Sequence, residues 1–172
     1  CLVLDSDRQA HEVLRRGEVI EQVRRLLGDP TLDPADPQVR RKIAARVFGR
    51  ADLLARLNEL IHPAVHAMRR QAIAAAQADP NVVAIVLDTP LLFEAGVDAE
   101  CDATVFVEAP LEQRQRRVAE SRRWSPEELD RRQRHQMDLD QKRRRCDYVI
   151  TNEGTPADLD RQARQVLEKL VG

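Results

Sequence analysis

The chain has 172 residues, of which 42% are hydrophobic and 33% are charged, and its formal net charge is −1. This size predicts one domain with its own core, and this charge content argues against a membrane protein. Aromatic residues make up only 3% of the sequence, so stacking on nucleic-acid bases has few side chains to use, and no nucleic-acid partner is expected.

The first half of the chain is expected to be a short strand followed by helices. Leu2-Val3-Leu4 predicts a strand that ends in Asp5 and Asp7. Apolar spacing and turn residues predict helices over 8–15, 17–27, 37–49, 52–62 and 64–78. Pro63 is expected to kink or break the chain after His62, because proline donates no backbone hydrogen bond and restricts the residue before it.

A central strand is predicted from the run Val82-Val83-Ala84-Ile85-Val86-Leu87, which is apolar without alternation. This pattern is typical of a strand buried on both faces in the interior of a parallel sheet. Asp88 ends the run and is expected at the carboxyl edge of the sheet, where α/β proteins bind ligands. In P-loop proteins such an aspartate helps to hold Mg²⁺, although it could equally be a turn former or a helix cap.

The second half alternates strands with arginine-rich helices. Strands are predicted over 103–108 and 148–151, and helices over 110–123, 125–136 and 156–171, with a third basic segment over 138–145. Ser125-Pro126-Glu127-Glu128 is a strong helix start, with a capping serine and a proline at the first position. Strands alternating with helices indicate an α/β fold with a parallel sheet, here within a single domain over 1–172.

Several segments together resemble the dephospho-CoA kinases, P-loop kinases that phosphorylate the 3′-hydroxyl of dephospho-CoA in the last step of coenzyme A synthesis. The segments, in order, are Val3-Leu4-Asp5-Ser6-Asp7 with Ala10-His11, Thr31-Leu32-Asp33, Val47-Phe48, Leu57-Asn58-Glu59-Leu60-Ile61-His62-Pro63, Leu87-Asp88-Thr89-Pro90-Leu91-Leu92-Phe93-Glu94 and Cys146-Asp147-Tyr148-Val149-Ile150-Thr151-Asn152-Glu153-Gly154. The resemblance covers nearly the whole chain. It implies a P-loop kinase-like three-layer fold, a helical acceptor-binding region over about 8–80 and a lid over about 111–146.

The resemblance also implies ATP and dephospho-CoA as partners, and Mg²⁺ as the cofactor. Asp7 is interpreted as the general base on the acceptor hydroxyl, with Asp5 and Asp88 at the magnesium through water. A sugar hydroxyl is a poor nucleophile, so a carboxylate placed to accept its proton suits this transfer. Asp7 could instead cap the helix that follows it.

The two substrate sites are likewise inferred from the resemblance. Residues expected to line the acceptor site are His11, His62, Pro90, Leu91, Leu92, Phe93 and Glu94, and those expected at ATP are Arg116, Arg117, Arg122, Asn152 and Gly154. A guanidinium offers a planar set of donors that fits phosphate oxygens. Two structural alternatives stay open, a helix-breaking His-Pro pair at His62 and an ordinary strand-to-helix turn at Asn152 and Gly154.

One departure from the family concerns its opening strand and Gly-x-x-x-x-Gly-Lys-Ser/Thr phosphate loop. None of the six glycines here lies in such a motif, so the sequence is interpreted as an N-terminally truncated chain without the first strand, P-loop and first helix, inactive by itself. Two other functions stay open: another P-loop small-molecule or nucleoside monophosphate kinase, and a non-catalytic helical binder of RNA or another polyanion. Three widely spaced cysteines fit a reducing cytoplasm. A monomer or weak homo-oligomer is expected.

Overall fold

The computed structural model describes residues 1–48 and 50–172. Gly49, where the third helix was predicted to end, lies outside these residues. The chain divides into two compact units, Cys1–Thr89 and Pro90–Gly172, and each is described by itself.

The first unit joins a pair of parallel strands to four helices. Its elements are β1 (Leu2–Asp5), α1 (Ser6–Val13), α2 (Gly17–Leu27), α3 (Pro37–Phe48), α4 (Ala51–Gln77) and β2 (Ile85–Asp88). The two strands pair in parallel from Leu2 opposite Ile85 to Asp5 opposite Asp88. This register places the ends of both strands side by side, as expected for the carboxyl edge of a parallel sheet.

The core of this unit is built by apolar residues at helical spacing on all four helices. Val13 and Val23 are fully buried, and eight more apolar side chains complete the cluster: Val19, Leu27, Ile43, Val47, Leu53, Leu57, Ile61 and Val65. Gly28 ends α2 at φ +64°, where its N–H bonds to carbonyls of the last turn. Because an L side chain strains that conformation, glycine is the residue that stops the helix cleanly.

The break predicted at His62-Pro63 is wrong, because α4 continues through Pro63 from Ala51 to Gln77. Leu57 and Ile61 precede the proline on the buried face, and Val65 follows it on the same face. Burial on both sides of Pro63 therefore outweighs the single backbone hydrogen bond that the proline removes. Although α4 has 27 residues, no helix of the described chain is both long and apolar enough to cross a membrane.

The prediction that the second strand is buried on both faces is also wrong. The strand begins only at Ile85, and Val83 and Val86 are 60% and 45% exposed. Within the described residues it pairs with β1 alone, so this pair has one covered face. Leu4 is buried there, whereas Val3, which points to the opposite face, is 59% exposed.

The second unit repeats the alternation of strands and helices. It contains a 3₁₀ turn (Val97–Glu100), β3 (Val105–Glu108), α5 (Leu111–Arg122), α6 (Pro126–Gln133), α7 (Leu139–Arg145), β4 (Tyr148–Thr151) and α8 (Pro156–Val171). Its two strands pair in parallel, with Glu108 opposite Thr151. One sheet was predicted, but the described strands are hydrogen-bonded as two pairs, because alternation along a sequence determines parallel direction and not which strands are neighbours.

The core of the first unit gives a direct stability test. Leu57→Ala is expected to lower the free energy of unfolding by about 2–4 kcal/mol, since Leu57 is 8% exposed within the helical cluster and truncation leaves a cavity. Arg56→Ala, at the neighbouring exposed position, is the control and should change it by about 0.5 kcal/mol or less. Urea unfolding of both variants measures the difference, and equal losses would contradict this description of the core.

Candidate active site

Three carboxylates follow or end the strands of the first unit. Asp5 caps α1, and its Oδ1 accepts a hydrogen bond from the Arg8 N–H at 3.0 Å. Asp7 is exposed in the first turn of α1, and its carboxylate has no hydrogen-bond or ion-pair partner among the described residues. The capping role considered for Asp7 therefore belongs to Asp5, which leaves Asp7 available to a ligand.

Asp5 and Asp88 provide the oxygen donors that suit Mg²⁺. They are paired residues at the ends of β1 and β2, and neighbouring strands lie only about 4.8 Å apart. Mg²⁺ is commonly held by one or two carboxylates together with waters and substrate phosphates rather than by a full protein cage. No cluster of three or more His, Cys, Asp or Glu side chains forms among the described residues, so a site here would be of that open kind.

A cavity of about 540 Å³ lies beside the end of β1 and is lined by residues of β1, α1 and α4, among them Asp5, Arg8, Gln9 and Met68. Gln9 is 8% exposed, and its Oε1 accepts no hydrogen bond in the structure. A buried acceptor without a donor is unfavourable, so a hydrogen bond from an N–H or O–H group of a ligand to this atom would be stabilising. Sequence reasoning missed Gln9, which carries no motif of its own.

The two candidate acceptor histidines lie on different helices of this unit. His11 is exposed in the last turn of α1, and His62 is exposed on α4. Desolvation and then the neighbouring His66, whose ring centroid is 6.4 Å away, lower the pKa of His62. His62 therefore tends to be neutral near pH 7 and able to accept a proton or a hydrogen bond.

The segment Pro90–Glu94 opens the second unit as a series of turns. The Glu94 carboxylate is 2.9 Å from Lys142 Nζ and accepts a hydrogen bond from the Met137 N–H at 2.6 Å. Partial burial alone would raise the pKa of Glu94, but these two donors outweigh it and hold that pKa below its usual range. Glu94 is therefore ionised and paired with Lys142 at neutral pH, and the ion pair is lost only as the pH falls through the lowered pKa of Glu94.

Lys142 bonds the candidate segment Pro90–Glu94 and was missed by the sequence interpretation. Its Nζ donates to Pro90 O at 2.7 Å and to Gln136 Oε1 at 3.2 Å, besides Glu94. The sequence does contain a signal, because Lys142 is the only lysine in the arginine-rich stretch 114–145. Lysine, with three donors on one nitrogen, suits a point where three acceptors converge.

The ATP candidates on α5 are brought together only in part. Arg117 donates to both the backbone oxygen and Oδ1 of Asn152 at 3.1 Å, so these two predicted residues are neighbours. Arg122 lies with its guanidinium carbon 5.0 Å from the ring centroid of Trp124. Arg116 is exposed on the same helix.

Gly154 has a structural explanation that does not require a ligand. A Cβ at this position would lie 2.8 Å from Asp158 Oδ2. Asp158 forms a capping box with Thr155 at the start of α8, and the Thr155 hydroxyl and N–H, with Arg161, lower the pKa of Asp158 to about 2. The glycine thus makes room for the cap, as in the strand-to-helix turn considered above.

Comparison with known proteins shows a consistent relationship over nearly the whole chain. A family model described as "CoaE: Dephospho-CoA kinase" matches residues 1–169. A dephospho-CoA kinase of Corynebacterium diphtheriae is 36% identical over 170 residues, which cover 98% of this chain and 84% of the relative. One of Thermus thermophilus is 34% identical over 170 residues, covering 99% of this chain and 80% of the relative.

Solved structures extend the likeness to three dimensions. A crystal structure of a Thermus thermophilus protein matches with a TM-score of 0.76 at 33% identity, covering 99% of this chain and 85% of that one. The dephospho-CoA kinase from Campylobacter jejuni matches with a TM-score of 0.67 at 18% identity and the same coverage, which shows the fold. The predicted class, an α/β fold of P-loop kinase type with parallel strands, is confirmed.

Proposed function

The chain belongs to the dephospho-CoA kinase family, and we propose that it transfers the γ-phosphoryl group of ATP to the 3′-hydroxyl of dephospho-CoA. The main observation in favour of this function is the register of β1 and β2. It pairs Asp5 with Asp88 at the strand ends, and Asp7 follows Asp5 by two residues. Acidic side chains at the carboxyl edge of parallel strands are what an α/β kinase needs beside its phosphates.

Asp7 accepts the proton of the acceptor hydroxyl in this proposal. Its exposed carboxylate has no partner among the described residues, so it can approach a substrate without first breaking a bond. The Asp5 cap fixes where α1 begins and thereby the place of Asp7. Deprotonating the hydroxyl as it attacks raises its nucleophilicity at the moment when the phosphorus–oxygen bond to ADP weakens.

Asp88 and Asp5 would hold Mg²⁺ through water in this proposal, and the ion would supply charge neutralisation at the phosphates. Asp5 keeps its Oδ2 for this purpose, because only Oδ1 accepts from Arg8. The protein's own contribution is placement, since both carboxylates sit on a hydrogen-bonded pair of strands. Such rigid elements keep a site in register better than loops do.

Pro90–Glu94 is proposed to bind the acceptor, and His11 and His62 are each proposed as further acceptor contacts. Leu91 is 42% exposed, which leaves apolar surface for the pantetheine arm. ATP is proposed to contact Arg116, Arg117 and Arg122 with its phosphates and the Asn152–Gly154 turn with its base. Arg117 supports this arrangement because it already bonds Asn152.

A charge-matched pair of variants tests the arginine assignments. Replacing Arg116, Arg117 and Arg122 together by Ala is expected to raise KM for ATP about 10-fold or more, because charge-assisted bonds to phosphate are lost. The melting temperature should fall much less than in Leu57→Ala. Replacing Arg70, Arg144 and Arg164, which are exposed, removes the same charge outside the proposed site. Equal KM values in the two triple variants would contradict the assignment.

The function itself is tested by mass spectrometry of dephospho-CoA incubated with ATP, Mg²⁺ and the protein. We expect coenzyme A carrying the new phosphate on the 3′-oxygen, and no comparable product from nucleoside monophosphates. Exclusive phosphorylation of nucleoside monophosphates would overturn the proposal.

The same assay includes a form supplied with a phosphate loop. Because none of the six glycines lies in a Gly-x-x-x-x-Gly-Lys-Ser/Thr motif, the 172 residues alone lack the backbone amides and the lysine that such a loop offers to phosphates. We therefore expect little or no turnover by this chain alone and faster turnover by a fusion that supplies a strand and such a loop. Kinetic comparisons of variants use the faster form.

A further inference from the structure

Lys142 is buried on a helix whose other basic residues face solvent. Its side chain is 9% exposed, whereas Arg143 and Arg145 on α7 are 50% and 47% exposed. Removing an ammonium group from water is unfavourable unless partners replace the lost hydration. A lysine in this position therefore needs a built set of acceptors, and the structure provides one.

The acceptors around Lys142 use all of its donors. Nζ lies 2.7 Å from Pro90 O, 2.9 Å from Glu94 Oε1 and 3.2 Å from Gln136 Oε1. An ammonium group has three N–H donors, so none is left for a phosphate. Two of the three acceptors are the first and last residues of Pro90–Glu94, which means that one side chain ties both ends of this segment together.

A second attachment lies one turn further along α7. Residues three apart on a helix share a face, and Arg145 places its guanidinium carbon 4.3 Å from the ring centroid of Phe93. The same side chain donates to Asp98 Oδ2 at 2.9 Å. Helix α7 thus contacts the segment at its start, at its aromatic ring and at its terminal carboxylate.

We propose that Lys142 is a positioning residue for the acceptor, which it serves by fixing the conformation of Pro90–Glu94 from α7 without touching either substrate. This inference rests on the proposed function, in which that segment binds dephospho-CoA. Without Lys142, the Pro90 carbonyl loses its donor and Glu94 keeps only the Met137 N–H. The segment then samples conformations that do not fit the acceptor, and binding weakens because part of the binding energy is spent on ordering it.

The test compares Lys142→Met, which keeps an unbranched apolar side chain as far as Cε and removes the ammonium group, with Arg144→Met at an exposed position of the same helix. Calorimetric titration of the 172-residue chain with dephospho-CoA gives Kd, and thermal unfolding gives Tm. We expect Lys142→Met to weaken dephospho-CoA binding about 10-fold or more, and Arg144→Met to leave it unchanged. In the faster form, which carries the added phosphate loop, KM for dephospho-CoA should rise while KM for ATP stays within about twofold. A general loss of stability does not change one KM and spare the other.

Two outcomes for Lys142→Met decide against the inference. A lowered Tm with unchanged dephospho-CoA binding makes Lys142 a structural residue only and leaves the proposed function standing. If the unaltered chain and its faster form neither bind nor phosphorylate dephospho-CoA, the proposed function fails, and this inference fails with it. Should Lys142→Met not fold, Lys142→Arg replaces it, because it keeps a cation but spreads its donors over a plane. Weaker binding at an unchanged Tm then supports the inference, and normal binding overturns it.

Discussion

Asp7→Asn is expected to lower kcat about 100-fold or more, the usual size of a general-base contribution. The amide is similar in shape to the carboxylate but cannot accept the proton of the 3′-hydroxyl. Since Asp7 is exposed and has no partner among the described residues, the melting temperature should stay close to that of the unaltered protein. KM for ATP should also change little, because Asp7 is proposed to act on the acceptor.

Glu18→Gln is the matched control for this change. Glu18 is also an exposed acidic residue in the first turn of a helix, α2, so both substitutions remove the same favourable charge from a helix start. Only the Asp7 variant should lose turnover. Near-normal turnover by Asp7→Asn would remove this residue from the mechanism.

Asp88→Asn is expected to raise the Mg²⁺ concentration needed for half-maximal rate and to lower kcat about 10-fold or more, since a neutral amide is a weaker ligand for a hard cation and no longer offsets its charge. Asp5→Asn should act in the same direction. This substitution tests the metal role of Asp5 without removing the N-cap of α1, because asparagine and aspartate cap helices similarly well. Stability should therefore be kept while the Mg²⁺ dependence moves.

The control for this pair is Asp79→Asn, which lies in the turn before β2 and accepts a hydrogen bond from the Asn81 N–H. Titration of the rate with Mg²⁺ at fixed ATP measures all three variants. Unchanged Mg²⁺ dependence in both Asp5→Asn and Asp88→Asn would show that the paired carboxylates serve another purpose.

Local elements were predictable wherever local signals agree. The second helix was predicted over 17–27 and is observed as Gly17–Leu27, because apolar spacing and a terminal glycine indicate the same limits. Tyr148–Thr151 and Pro156–Val171 were likewise predicted at the observed residues. Ser125 caps α6 as its sequence predicts, although that helix ends at Gln133, earlier than expected.

The features that depend on distant residues were not predictable in the same way. Pro63 indicates a helix end in the sequence because the backbone hydrogen bond that proline removes is a local effect. The burial of Leu57, Ile61 and Val65 that offsets this loss depends on tertiary packing, which the local sequence does not show. The apolar run before Asp88 does not reveal how many strands will flank it. Lys142 meets acceptors six to 52 residues away in sequence, a convergence that no pattern in the chain encodes.

The passage of α4 through Pro63 also has a consequence for local motion. Pro63 donates no backbone hydrogen bond, so the carbonyl of Glu59, four residues earlier, has no partner one turn ahead. The helix is therefore less cooperative at this point than along the rest of its 27 residues. We expect amide hydrogen exchange to show two protection levels within one continuous helix, one for residues 53–62 and another for 64–77. The part that leads towards β2 can then open more readily than the part that holds Leu53, Leu57 and Ile61 in the helical core.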